Sequence, residues 1–153
     1  MVISFDVYRP VVRLAVGLII LAIINWILTN LPMVRAVSVP GSPISITAVV
    51  SVIVGFIMIA LLLNFGKEFS PRIQAALPTI SEIGPIVSSA IALSVVTVAY
   101  LMFKDAVVPL MKEYAWLYPL AFLVVAIWPL VTLITALYHS SDKVADLLSS
   151  STK

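Results

Sequence analysis

Four long stretches of this chain carry no Asp, Glu, Lys, Arg or His: Leu14–Val34, Ala36–Gly66, Ile83–Phe103 and Tyr114–Tyr138. At about 1.5 Å of rise per residue, a helix of about 20 residues reaches roughly 30 Å, the depth of a bilayer's hydrocarbon core. The pattern predicts an all-α, integral membrane four-helix transmembrane bundle with spans at about 11–31, 43–65, 80–103 and 114–138. These spans and their short loops form a single membrane domain, and residues 139–153 form a short tail. Arg9 and Arg13 before the first stretch resemble the start of a secretory signal, but the apolar run to Val34 is longer than a signal core and reads as a retained span.

Breakers and caps refine the limits. Arg9-Pro10 opens the first span, which stops before Pro32. Pro40-Gly41 is a turn pair, and Ser42-Pro43 reads as N-cap and first turn of the second span. Between spans two and three, Arg72–Leu77 forms either a short interfacial helix or a plain loop. Thr79 and Glu82 have capping-box spacing, and Gly84-Pro85 marks a kink or a second helix start. Lys104–Glu113, with Pro109, reads as a polar connection whose charges are solvated. Pro119 and Pro129 are candidate kinks in the fourth span, and the Ser/Thr end of the tail is expected to fray.

Composition agrees with a membrane location. The 153 residues are 62% hydrophobic and 10% charged, against about 25% charged in a soluble domain. The mean hydropathy is +1.18. Nine cations face seven anions and none form a basic run, so the expected partners are the lipid bilayer and other membrane subunits or further copies of the chain, with no nucleic acid. With no cysteine, thiolate metal sites, iron–sulfur clusters and disulfides are excluded. One histidine cannot supply a bis-imidazole haem site, and no cofactor is expected. An even number of spans puts both termini on one side. Arg9, Arg13, Lys67, Arg72, Lys143 and Lys153 then oppose Arg35, Lys104 and Lys112, and the positive-inside bias makes the termini of this multi-pass protein cytoplasmic.

The remaining chemistry is neutral. Counted inward from the charge boundaries, Asn25, Gly55, Ser94 and Trp128 reach one depth, about 15–17 Å, near the midplane. Asn25 could then hydrogen-bond Ser94 or the Trp128 indole and hold the bundle together, or the layer could line a small site or pore. Thr47, Ser51 and Gly55 form a small-residue seam on span two, and Gly84, Ser88 and Ala92 form another on span three, so these spans should pack closely. Trp128, Thr132, Thr135 and His139 share one face of span four, as a lining or as threonines bonded to their own helix. Small and polar residues are the usual glue of membrane helices, so packing is the leading role for all of these. No phosphate-binding glycine loop, HExxH, GxSxG or intramembrane carboxylate pair is present, so no catalytic residue is assigned. The expected function is a non-catalytic structural or accessory subunit, or a self-associating scaffold. The alternatives are a homo-oligomeric channel lined by span two or three, and a transporter or membrane enzyme for an apolar substrate.

Overall fold

The computed structural model describes residues 5–76 and 82–150, with side chains described over 8–76 and 82–141. Helix α1 (Phe5–Asn30) is followed by the single turn α2 (Pro32–Arg35), α3 (Ile46–Ala76), α4 (Ile83–Met111), a 3-10 turn (Lys112–Tyr114) and α5 (Leu117–Ser150). Four of these helices are long and apolar enough to cross a membrane. They run antiparallel in chain order, with α1 packed on α3, α3 on α4 and α4 on α5. Among the described residues α1 and α5 share no extended contact, so the bundle is an open row.

Helix α3 lies at the centre. Its buried side chains Ala48, Val54, Met58 and Leu62 recur at helical spacing, and the buried Gly55 lies on the same side. Water would penalise the apolar faces left outside the row, but lipid does not. Association here rests on close packing and hydrogen bonds between helices.

Several local expectations are corrected. The second span is capped by Ser45, not Ser42: the Ala48 amide donates to Ser45 Oγ at 3.2 Å. Ser42 is engaged in a miniature hairpin, where the Val39 amide bonds the Ile44 carbonyl at 2.9 Å and the Ile46 amide bonds the Val37 carbonyl at 3.2 Å. Gly41 supplies the positive φ of 76° that the turn after Pro40 requires. No separate interfacial helix follows span two within the described residues, because residues 72–76 are the last turns of α3 and Pro71 sits inside it. Leu77 and Thr79 lie outside the described residues. Glu82 sits at the cap position of α4 without a side-chain cap bond, and Gly84-Pro85 falls in the first turn, where proline's missing N–H costs little.

Pro10 also lies within its helix, since α1 already runs from Phe5. Lys104 and Asp105 belong to α4, which continues through Pro109 to Met111, so they are not loop charges. Lys112, at φ 47°, then turns the chain. Helix α5 begins at Leu117, which puts Pro119 in its first turn, and it continues through the expected tail to Ser150. Residues 151–153 are outside the described residues.

Interhelical contacts give the register. Gly55 on α3 packs against Met102 on α4, and Gly66 against Ile91. Gly66 is therefore level with a residue eight positions beyond Ile83, about 12 Å further along α4. The charge-free zones of α1 and α3 are displaced by that amount relative to those of α4 and α5. The zone shared by all four runs on α4 only from about Ile91 to Phe103, roughly 20 Å against a hydrocarbon core of about 30 Å. Lys67, just past Gly66, lines a groove with Ser88, Ile91 and Val95 of α4, where its long stem can lie on apolar surface.

Candidate functional site

The stagger sets where polar side chains meet. Near the Asn30 end of α1, Ser51 Oγ donates to Asn25 Oδ1 at 3.3 Å. Thr29, one turn on, donates to the Asn25 carbonyl at 2.7 Å. Arg35, on the turn after α1, is held by two bonds, Nε to the Thr29 carbonyl at 3.0 Å and Nη2 to Asn30 Oδ1 at 2.5 Å. Thr47 Oγ1 lies 2.7 Å from Ser45 Oγ. Asn25, Thr29, Arg35, Thr47 and Ser51 with Asp105 of α4 surround a cleft of about 370 Å³ with Leu101 and Met102 on its apolar side. Two of the three residues of the Thr47–Ser51–Gly55 seam thus face the cleft. Gly55 alone makes a tight backbone approach to α4.

The midplane layer is not assembled. Asn25 and Gly55 sit in the half of the row that contains Arg35. Ser94 is eight residues, about 12 Å, from Gly55's neighbour Met102 on α4. Trp128 belongs with Ser94, since Tyr100 meets Phe122 at 5.6 Å between ring centroids and the two helices run antiparallel from there. Ser94 donates to its own helix at the Ala90 carbonyl, 2.9 Å, and Trp128 is 81% exposed. Neither reaches Asn25. A depth count from the charge boundaries fails because it sets Gly66 level with Ile83, whereas charges on α3 pack beside the apolar length of α4.

The other seam and the stripe lie apart from the Arg35 cleft. Gly84 lies under the Gln74 side chain of α3, while Ser88 and Ala92 line the groove beside Lys67. Spans two and three do share the most extensive interface in the row. Thr132 and Thr135 donate to the Trp128 and Val131 carbonyls at 3.0 and 2.8 Å, so both satisfy their own helix. With Trp128 and His139 they border a second groove, of about 390 Å³, facing Glu82 and Pro85. His139 Nδ1 lies 2.9 Å from the Thr135 carbonyl.

Sequence reasoning misses Thr29, Arg35 and Asp105. The first stands four residues after Asn25 and shares its helix face, a signal that the spacing does carry. Asp105 offers none, because it sits just beyond a charge-free stretch where a loop is the ordinary expectation. Comparison with protein-family models, with curated proteins and with solved structures finds no match to this chain.

Proposed function

We propose that this protein is a non-catalytic integral membrane protein, acting as a structural or accessory subunit or as a self-associating scaffold. The observation that carries the proposal is the open row. Among the described residues one copy encloses no conduit between its helices, since each long helix packs chiefly on its neighbours in sequence. The outer helices present long uncovered apolar sides, including Ile19, Ile23 and Trp26 on α1 and Leu123, Val124 and Ile127 on α5. The hydroxyls of Ser94, Thr97, Thr132 and Thr135 in the α4 and α5 spans are absorbed by their own helices.

The test is mass measurement of the particle extracted natively in mild detergent. A mass above one chain, from further copies or a co-purifying membrane subunit, is the expected result. A strict monomer would contradict the proposal, and single-channel currents from the pure protein in liposomes would replace it with a channel.

Orientation belongs to the same proposal. Both described ends, Phe5 and Ser150, lie at the end of the row that carries Arg9, Arg13, Lys67 and Arg72, and the positive-inside bias makes that side cytoplasmic. A reporter fused after Lys153 is expected to read as cytoplasmic, and an extracytoplasmic signal would reverse the assignment.

A further inference from the structure

The cleft at the Arg35 end of the row is an unusual place in a chain that keeps charge out of its spans. Asp105 lies six residues inside the end of α4, about 9 Å, and Asn25 five residues inside the end of α1, about 7 Å. The charge-free stretch of α4 ends at Phe103, two residues before Asp105, so the cleft stands at the border of the apolar zone, where a spanning helix passes from acyl chains to headgroups. Arg35 and Asp105 are both exposed, so each presents its charge outward to whatever occupies the cleft.

The chemistry of the walls is specific. The Arg35 guanidinium has five N–H groups, and its two bonds to Thr29 and Asn30 fix its position while leaving three free to donate. Among the described residues the Asp105 carboxylate has no hydrogen-bond or ion-pair partner, although it lines the same cleft as Arg35. The Asn25 Nδ2 amide is likewise unused, because the Ser51 hydroxyl bonds the Oδ1 side. The cleft thus offers one fixed cation and one carboxylate that are not joined in an ion pair among the described residues, with the Asn25 amide and the hydroxyls of Ser51 and Thr47 also on its walls. A simple anion would satisfy Arg35 and be repelled by Asp105, and a simple cation would do the reverse. A ligand that carries both charges satisfies both walls.

We propose that this cleft binds a zwitterion with a primary ammonium and an anionic group, the ammonium at Asp105 and the anion at Arg35. At this depth the bound form is the headgroup of an aminophospholipid, its chains lying along Leu101 and the apolar sides of α1 and α4. A primary ammonium can donate three hydrogen bonds, to the Asp105 carboxylate and to hydroxyl oxygens of the cleft, while the Asn25 Nδ2 donor suits the anionic group. A quaternary choline donates none, and a headgroup without a cation leaves Asp105 unmatched. The site does not depend on the chain being a subunit, and it operates in a single copy.

Native mass spectrometry of the full chain, in micelles doped equally with phosphatidylethanolamine, phosphatidylcholine and phosphatidylglycerol, tests this. One phosphatidylethanolamine per chain is expected to be retained, preferred about tenfold over the other two, the worth of one charge-assisted hydrogen bond. Asp105→Asn and Arg35→Gln should each remove about that factor, while Lys104→Gln, outside the cleft, should not. Melting temperature is measured for each variant. If Asp105→Asn does not fold, Arg35→Gln and the wild-type preference still decide the matter. Soluble phosphoethanolamine is expected to displace the lipid. Binding of phosphoethanolamine without the lipid would keep the charge pairing and make the occupant a soluble zwitterion. Equal retention of the three lipids together with no phosphoethanolamine binding, or a preference that survives in both folded cleft variants, would overturn the proposal.

Discussion

Gly55→Leu is expected to destabilise the purified protein by about 1–3 kcal/mol, the cost of overpacking a tight contact, and to loosen α3 from α4. A Cβ at position 55 would stand 2.6 Å from Met102 Cβ and 3.1 Å from its Cγ, with Phe103 Cε1 at 3.2 Å. The nearest obstacle is rooted at the backbone of α4, so no rotamer change of Met102 removes it. Even Gly55→Ala must push the two helices apart. In lipid that separation is costly, because close packing and its dispersion contacts are most of what holds α3 to α4.

The comparison that isolates this contact is Gly17→Ala. Its added Cβ would meet only the Leu61 Cδ1 tip, at 3.2 Å, which can swing aside. Thermal melting in mild detergent should show a clear loss for Gly55→Ala, a larger one for Gly55→Leu and little change for Gly17→Ala. Met102→Gly should partly rescue Gly55→Ala, because it removes the clashing Cβ, whereas Met102→Ala should not. A Gly55→Leu protein that melts like the wild type would mean that α3 and α4 do not approach at this register. The stagger inferred from the same contact would then fall with it.

Register of this kind is what a single chain of residues does not carry, whereas helix limits and turns are legible in it. Pro32 marks the end of the first helix to within one residue, and Pro40-Gly41 marks a real turn, because both act through local backbone geometry. The absence of charge marks four spans for an equally direct reason: unpaired charges do not settle cheaply in hydrocarbon. Relative depth is different. It depends on which residue of one helix lies against which residue of the next, and Gly55 with Met102 or Gly66 with Ile91 leave no mark in a single sequence. Asn25 stands out in the sequence as a polar group within a span, but its partner is Ser51 and its setting is the cleft with Arg35 and Asp105. Charge near a span ordinarily signals a loop. Asp105 is helical because α4 runs on past the charge-free stretch to Met111, which brings it to the cleft lined by Asn25, Ser51 and Arg35.

The α4–α5 contact should fail for another reason, and Tyr118 is where it can be tested. Tyr118 is 5% exposed, and its hydroxyl donates to the Tyr100 carbonyl at 2.9 Å. Its ring lies 5.5 Å from that of Tyr100 and 4.8 Å from that of Phe122. The cluster fastens the start of α5 to α4 just after the 3-10 turn, where among the described residues α5 has no other extensive neighbour in the row. Tyr118→Ala removes the ring contacts and the hydroxyl together. Emptying an aromatic site costs about 3–5 kcal/mol in a soluble core; about 2–4 kcal/mol is expected here, since lipid returns part of the transfer term. Tyr118→Phe keeps the rings and removes only the hydrogen bond, worth about 0.6–2 kcal/mol between membrane helices. Thermal melting in mild detergent should therefore rank wild type above Tyr118→Phe, and Tyr118→Phe well above Tyr118→Ala. Limited proteolysis should show early cleavage near Lys112 in the alanine variant, as α5 detaches from α4. If phenylalanine were as damaging as alanine, the hydrogen bond rather than the aromatic packing would hold the two helices together. If neither change mattered, α5 would be held to the row by something other than this cluster.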